Sequence, residues 1–168
     1  MIIKPLIRRN ICINAHPLGC AAQVRAQINY VMDREKIVGP KKVLVIGASN
    51  GYGLAARIVS AFASSAATIG VGFEKPGTAS RTGTAGWYNI EAFRQDAEKA
   101  GFPAWNVNGD AFSEETKSNI MDIIKDKVDT IDFLIYSIAA PRRIDPETGE
   151  MYSSVIKPIG KPFSASSV

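Results

Sequence analysis

Val45-Ile46-Gly47-Ala48-Ser49-Asn50-Gly51-Tyr52-Gly53 runs an apolar strand into a glycine-rich turn and then into a helix, with the spacing Gly-x3-Gly-x-Gly. Each glycine answers a separate physical need. Gly47 lets the chain turn sharply out of the strand, Gly51 lets backbone come close to a pyrophosphate, and Gly53 lets the helix pack tightly on the strand. The N–H groups of a helix's first turn lack intrahelical partners and attract an anion. The segment therefore reads as a dinucleotide-phosphate cradle, the alternative being a turn whose glycines serve packing alone.

Glu74 lies just past the next apolar run, 27 residues after Gly47, where the usual fingerprint has its acid at roughly 20. A carboxylate there accepts hydrogen bonds from both hydroxyls of an adenine ribose and repels a 2′-phosphate, so NADH is favoured over NADPH. A glutamate simply solvated on a loop is the alternative. Asp110 and Ala111 follow a third run, and Ser137, Ile138 and Ala139 follow a fourth. Ligands of open α/β sheets bind outside the carboxyl ends of the strands, so the four post-strand segments are expected to line one crevice. Asp110 also fits the role of a helix-entry residue.

The elements that must position these residues follow from periodicity. Residues 43–46 are apolar without alternation, as a strand covered on both faces requires. Residues 51–63 carry Leu54, Ile58 and Phe62 at four-residue spacing, with Ala55, Ala56 and Ala61 small enough for close approach to a sheet. Residues 68–73 make a second strand weakened by two glycines, and 78–88 are polar and read as a loop. Asn89 is the expected cap of a helix bearing Ile90, Phe93, Ala97 and Ala100, stopped by Gly101. A strand at 104–107, a helix capped by Ser113 with Ile120, Ile124 and Val128 on its buried stripe, and a strand at 131–135 continue the alternation. Residues 146–149 form a turn between two short extended arms, and Ala21, Val24, Ile28 and Val31 define a helix beside the repeating unit. The expected fold is α/β, a Rossmann-type three-layer αβα sandwich with a parallel sheet truncated after about four strands. Residues 1–40 form an N-terminal extension with one helix, 41–141 the dinucleotide-binding half, and 142–168 a hairpin-like segment and tail.

Composition excludes other classes. With 46% hydrophobic and 21% charged residues the chain has the make-up of a folded domain rather than a disordered one. Twenty Lys and Arg against sixteen Asp and Glu give +4, but the basic pairs Arg8-Arg9, Lys41-Lys42 and Arg142-Arg143 are scattered, which argues against nucleic acid. The most lipid-like stretch, 58–73, is too short to span a bilayer and is interrupted by Ser60, Ser64, Ser65 and Thr68. Lys4, Pro5, Arg8 and Arg9 interrupt any signal-peptide core, so a cytoplasmic location and reduced thiols are expected. Cys12, His16 and Cys20 have metal-like spacing, but a closed zinc site needs four ligands, and Pro17 and Gly19 suggest a packed turn, so no metal is expected.

Further segments carry a specific likeness. Met1-Ile2-Ile3-Lys4-Pro5, Ala15-His16-Pro17-Leu18-Gly19-Cys20, the glycine-rich turn, Phe73-Glu74-Lys75-Pro76-Gly77-Thr78, Thr84-Ala85-Gly86-Trp87-Tyr88-Asn89, Asn108-Gly109-Asp110-Ala111-Phe112, Tyr136-Ser137 and Lys157-Pro158-Ile159-Gly160 together resemble the trans-2-enoyl-CoA reductases and FabV-type enoyl-acyl-carrier-protein reductases. The resemblance implies an NADH-dependent oxidoreductase of fatty acid biosynthesis that saturates the 2,3-double bond of an enoyl-CoA or enoyl-ACP. It also implies cofactor contacts at Gly47, Ala48, Ser49, Asn50, Gly51, Tyr52, Phe73, Glu74, Asp110, Ala111, Ile138 and Ala139.

Family members are far longer, and their catalytic Tyr-x8-Lys lies downstream of every matched segment. Tyr152 and Lys161 have that spacing but sit beside the matched 157–160 segment, so the coincidence is read as accidental. The expected function is the NADH-binding part of an enoyl-thioester reductase, a fragment inactive alone, with its catalytic residues beyond Val168. A non-catalytic dinucleotide-binding or NADH-sensing module is the alternative. An exposed apolar sheet edge is expected to drive self-association.

Overall fold

In the computed structural model, which describes residues 4–8, 11–154 and 160, a short antiparallel pair, β1 (Ile7–Arg8) and β2 (Ile11–Cys12), precedes α1 (Pro17–Met32). Pro17 begins the helix rather than a packed turn. His16 is its N-cap, the ring Nδ1 accepting from the Gly19 N–H at 3.2 Å, and a proline at the first helical position loses no hydrogen bond.

Four parallel strands follow, β3 (Lys42–Ile46), β4 (Ala67–Gly72), β5 (Ala104–Asn108) and β6 (Phe133–Tyr136), in the spatial order β5-β4-β3-β6. The crossovers are α2 (Gly51–Ser64), α3 (Ala85–Lys99) and α4 (Glu114–Ile123), the last ending in a π-helical turn, Ile124–Val128. The hairpin of β7 (Arg142–Ile144) and β8 (Met151–Ser153) comes after them. The chain divides into two compact units, Met1–Ile138 and Ala139–Val168.

The inner strands β3 and β4 are covered on both faces, as the unalternating apolar run of β3 requires, whereas β6 at the edge is largely exposed. Leu44, Ile69, Val71 and Val107 pack against Ile120 and Val128 on the α4 side. Val43 and Val45 face the other way, where α2 and α3 lie. Helix α1 closes that side by packing Val24 and Ile28 against Leu54, Ile58, Phe62 and Phe93, and Arg25 ties it to Asp96 of α3 at 3.1 Å.

Two local expectations are corrected. Helix α3 starts at Ala85 with Thr84 as N-cap, so Asn89 lies inside the helix and the loop is shorter than 78–88. Ala55 does not face the sheet: it is exposed and lines, with Ala26, Tyr30 and Val59, an apolar groove between α1 and α2.

The sheet-facing side of α2 carries Arg57, which is completely buried. Its Nε donates to Thr68 Oγ1 at 3.2 Å, Nη1 to Asn106 Oδ1 at 2.8 Å and Nη2 to the Trp105 carbonyl at 2.7 Å. The guanidinium carbon lies 4.4 Å from the centre of the Phe93 ring. Gly70 makes the room, since a β-carbon there would overlap the guanidinium. Burial pushes the Arg57 pKa down to about 9, and the charge of Glu91 opposes the shift. Truncation would leave three acceptors, that of Thr68 buried and those of Trp105 and Asn106 half-buried, without their donor and would leave a cavity. Arg57→Ala is therefore expected to lower the unfolding free energy by about 3–5 kcal/mol, read from the denaturant midpoint. A change within about 1 kcal/mol would deny Arg57 this structural role.

Candidate functional site

Because β3 to β6 are parallel, their carboxyl ends leave the sheet along one edge. The register aligns them: Ile46 is opposite Val71 and Tyr136, and Gly72 is opposite Asn108. The segments beginning at Gly47, Phe73, Gly109 and Ser137 therefore depart side by side, as expected of a crevice at a topological switch point.

The turn after β3 is held by backbone. Gly47 has φ +89°, and a β-carbon on it would overlap the Ser137 carbonyl. The N–H groups of Gly47 and Ala48 both donate to the Val71 carbonyl, at 2.9 and 2.8 Å. Ala48 is wholly buried, so its side chain presents nothing to the crevice. A β-carbon on Gly53 would overlap the Gly47 carbonyl, so helix α2 can start this close to the turn only with glycine there. Gly51, at φ +52°, has no atom within 4 Å of where its β-carbon would stand. The first turn of α2, Gly51 to Gly53, opens toward that free space, and Tyr52 is 91% exposed beside it.

Just past β4, Phe73 is 76% exposed and Glu74 is half-buried. The Glu74 backbone is paired on both sides by one side chain: its N–H donates to Asn108 Oδ1 at 2.8 Å, and its carbonyl accepts from Asn108 Nδ2 at 3.0 Å. Its carboxylate accepts from Thr84 Oγ1 at 2.5 Å. Thr84 also accepts from the Lys75 N–H at 3.1 Å and donates its own N–H to the Lys75 carbonyl at 2.9 Å, closing the base of the 75–84 loop. Tyr88 braces that loop by accepting from the Gly83 N–H at 2.7 Å.

The glycine-rich turn and Glu74 meet at the first turn of α3. A β-carbon on Gly86 would overlap the Glu74 carboxylate and stand 2.7 Å from the Asn50 amide nitrogen. One turn on, Asn89 Nδ2 donates to the Ser49 carbonyl at 3.1 Å and to Asn50 Oδ1 at 2.9 Å. Asn89 thus fastens the turn to α3 rather than capping the helix. Beyond β5, Asp110 Oδ1 accepts from the Phe112 N–H at 3.0 Å, and its carbonyl accepts from Ser113, the N-cap of α4. Asp110 takes part in the entry of α4, and Ala111 packs partly against the α4-side core. Ile138 is half-buried just past the Ser137 crossing, whereas Ala139 begins the second unit.

In the second unit, Tyr152 donates to Glu150 at 2.9 Å, and that hydrogen bond above all raises the phenol's pKa. Lys161, residues 157–159 and the Met1-Ile2-Ile3 start lie outside the described residues. Among the described residues no three His, Cys, Asp or Glu stand together as a metal site, and no helix is long and apolar enough to cross a membrane.

Comparison with known proteins matches residues 2–79 to the NAD(P)H binding domain of trans-2-enoyl-CoA reductase and residues 81–168 to the trans-2-enoyl-CoA reductase catalytic region. The chain belongs to the trans-2-enoyl-CoA reductase family. It is 59% identical over 166 residues to the enoyl-[acyl-carrier-protein] reductase [NADH] of Teredinibacter turnerae, covering 98% of this chain and 42% of that relative. The relative of the same name from Saccharophagus degradans gives the same figures. Among solved structures, the Clostridium acetobutulicum trans-2-enoyl-CoA reductase in complex with NADH superposes with a TM-score of 0.88 at 47% identity, over 94% of this chain and 40% of that one. The Treponema denticola enzyme in complex with NAD gives 0.87 at 48%, over 96% and 42%. The reductase-family chain thus spans 42% of the length of the two curated relatives.

Asn89 binds the turn by two hydrogen bonds from one amide. Asn89→Ala is expected to speed amide hydrogen exchange at residues 49–52 roughly tenfold, the equivalent of one buried hydrogen bond, with the global melt little changed. Unchanged exchange there would remove Asn89 from the support of the turn.

Proposed function

We propose that the chain is the NADH-binding part of an enoyl-thioester reductase acting on enoyl-CoA or enoyl-ACP, in which residues 1–168 alone bind cofactor without turning it over. The observation that carries the binding half is the convergence of the open first turn of α2 with the braced Glu74 at a single sheet edge. The residues present fit the cofactor. The N–H groups of Gly51, Tyr52 and Gly53 take the pyrophosphate, with Ser49 and Asn50 shaping the turn and Gly47 and Ala48 anchoring it to β4. Glu74 accepts from the adenine ribose hydroxyls and excludes a 2′-phosphate, with Phe73, Asp110 and Ala111 bordering the same end. Ile138 follows β6 toward the nicotinamide end. When bound, NADH supplies the hydride that saturates the 2,3-double bond.

The absence of turnover is supported by Tyr152, whose hydroxyl is given to Glu150 and whose pKa is raised; a tyrosine that protonates or steadies an enolate oxygen works better with its pKa lowered. The free cysteines Cys12 and Cys20 fit a cytoplasmic setting. NADH titration followed by energy transfer from Trp87 and Trp105 tests the reading. Binding is expected, with no NADH oxidation on adding a short trans-2-enoyl-CoA. Glu74→Ala is expected to weaken NADH about tenfold while sparing NADPH. No binding, or equal losses for both nucleotides, would overturn the assignment. Turnover that Tyr152→Phe abolishes would make the chain an autonomous enzyme. Turnover regained on adding the C-terminal portion of a longer relative would separate a reductase part from a stand-alone NADH sensor.

A homotypic contact follows from β6. Its outer edge is unpaired among the described residues, and Phe133, Leu134 and Tyr136 are 52%, 55% and 60% exposed. Residues 1–168 are expected to self-associate at micromolar concentration in sedimentation velocity. A monomer with a sharp two-state melt at that concentration would count against this contact.

A further inference from the structure

The segment Thr84-Ala85-Gly86-Trp87-Tyr88-Asn89 stands out in the sequence, yet the cofactor reading assigns it nothing. Its polar contacts all point to one task. Asn89 holds Ser49 and Asn50, Tyr88 holds the loop at Gly83, Gly86 leaves space for the Glu74 carboxylate, and Thr84 donates to that carboxylate. We infer that Thr84, aided by the bare backbone of Gly86, is a positioning residue that sets the preference for a free ribose over a 2′-phosphorylated one by holding the Glu74 carboxylate in one place against the start of α3. The inference rests on the NADH-binding reading and adds to it the residues that make Glu74 selective.

The argument is one of preorganisation. A glutamate on a post-strand loop has three rotatable side-chain bonds, and ordering them on binding costs affinity. Here the ordering is done before any nucleotide arrives. Asn108 fixes the Glu74 backbone through both of its amide hydrogen bonds. Thr84 then fixes one carboxylate oxygen, and Gly86 admits the other against the start of α3. Hydrogen bonding to an ionised carboxylate is the stronger kind. A negative charge held in one place both accepts from hydroxyls and repels phosphate, whereas a mobile one can swing aside for a 2′-phosphate. Although Thr84 occupies the N-cap of α3, its hydroxyl makes no capping bond to the helix. Removing it therefore takes away the grip on Glu74, together with the acceptor of the Lys75 N–H, without taking away a cap.

The test compares NADH and NADPH affinities of the whole chain, wild type against Thr84→Val, Thr84→Ser and Gly86→Ala. The NADH preference is expected to fall about tenfold in Thr84→Val, to stay near wild type in Thr84→Ser, which keeps the hydroxyl, and to fall at least as far in Gly86→Ala, which displaces the carboxylate. A purely structural role would lower both affinities together and leave their ratio unchanged. An unchanged or widened ratio in Thr84→Val overturns the inference while leaving the NADH site standing. A wild-type chain that binds neither nucleotide overturns the NADH reading and this inference with it. If Thr84→Val lacks a cooperative melt, Thr84→Ala is read against the same ratio.

Discussion

Three stretches of backbone meet at Gly47 with no room for a side chain. The chain leaves β3 there in a left-handed conformation, the carbonyl of Ser137 comes over from β6, and Gly53 brings in the start of α2. Each approach depends on the other two. A β-carbon at Gly47 would push Ser137 away and separate the turn from β6, and one at Gly53 would lift α2 off the turn. The two N–H groups that Gly47 and Ala48 give to the Val71 carbonyl then fix the turn to the neighbouring strand. This backbone junction determines where the first turn of α2 opens, and therefore where an anion can be held.

Rigidity at that junction would be of little use if the strands beneath it could slide. The α2 side of the sheet resists sliding with a buried polar link rather than with apolar packing alone. Arg57 joins α2 to β4 through Thr68 and to β5 through Asn106 and the Trp105 carbonyl, and Asn106 passes the link to α3 by donating to the Ile90 carbonyl at 3.1 Å and to Glu91 at 3.0 Å. Directional hydrogen bonds fix register where packing alone permits slippage. The elements so joined are the ones that carry the glycine-rich turn, Glu74 and Asp110.

The alternation of strands and helices was legible because it depends on local periodicity. The unalternating run of β3, the Ser113 cap with Glu114 and Glu115 behind it, the Gly101 stop and the 146–149 turn all carry their signals within a few residues. What escaped depends on partners distant in sequence. Asn89 looks like a cap when only its own neighbours are considered, but its amide is used 40 residues upstream, at Ser49. Nothing near Arg57, between Ala56 and Ile58, announces that Gly70 has made a place for it. The glycine at 70 reads as weakness in a strand until the guanidinium filling its space is known. Alanine spacing misled for a related reason, because α1 supplies α2 with a second apolar neighbour and Ala55 faces that side.

The same distinction separates the residues that would touch a dinucleotide from those that hold them in place. The glycines stand out by type and spacing and Glu74 by its place just past an apolar strand, since the chemistry proposed for them toward a nucleotide is their own. Thr84, Gly86, Asn89 and Asn108 have no such chemistry, and their effect comes only through the groups they hold. Helix α3 turns its first residues toward both halves of the crevice, Asn50 on one side and Glu74 on the other, so a displacement of its start would move the glycine-rich turn and the Glu74 carboxylate together. Pyrophosphate and ribose are tethered by a few covalent bonds in any dinucleotide. A scaffold that keeps the groups proposed for them on one helix end therefore matches the short reach of such a ligand.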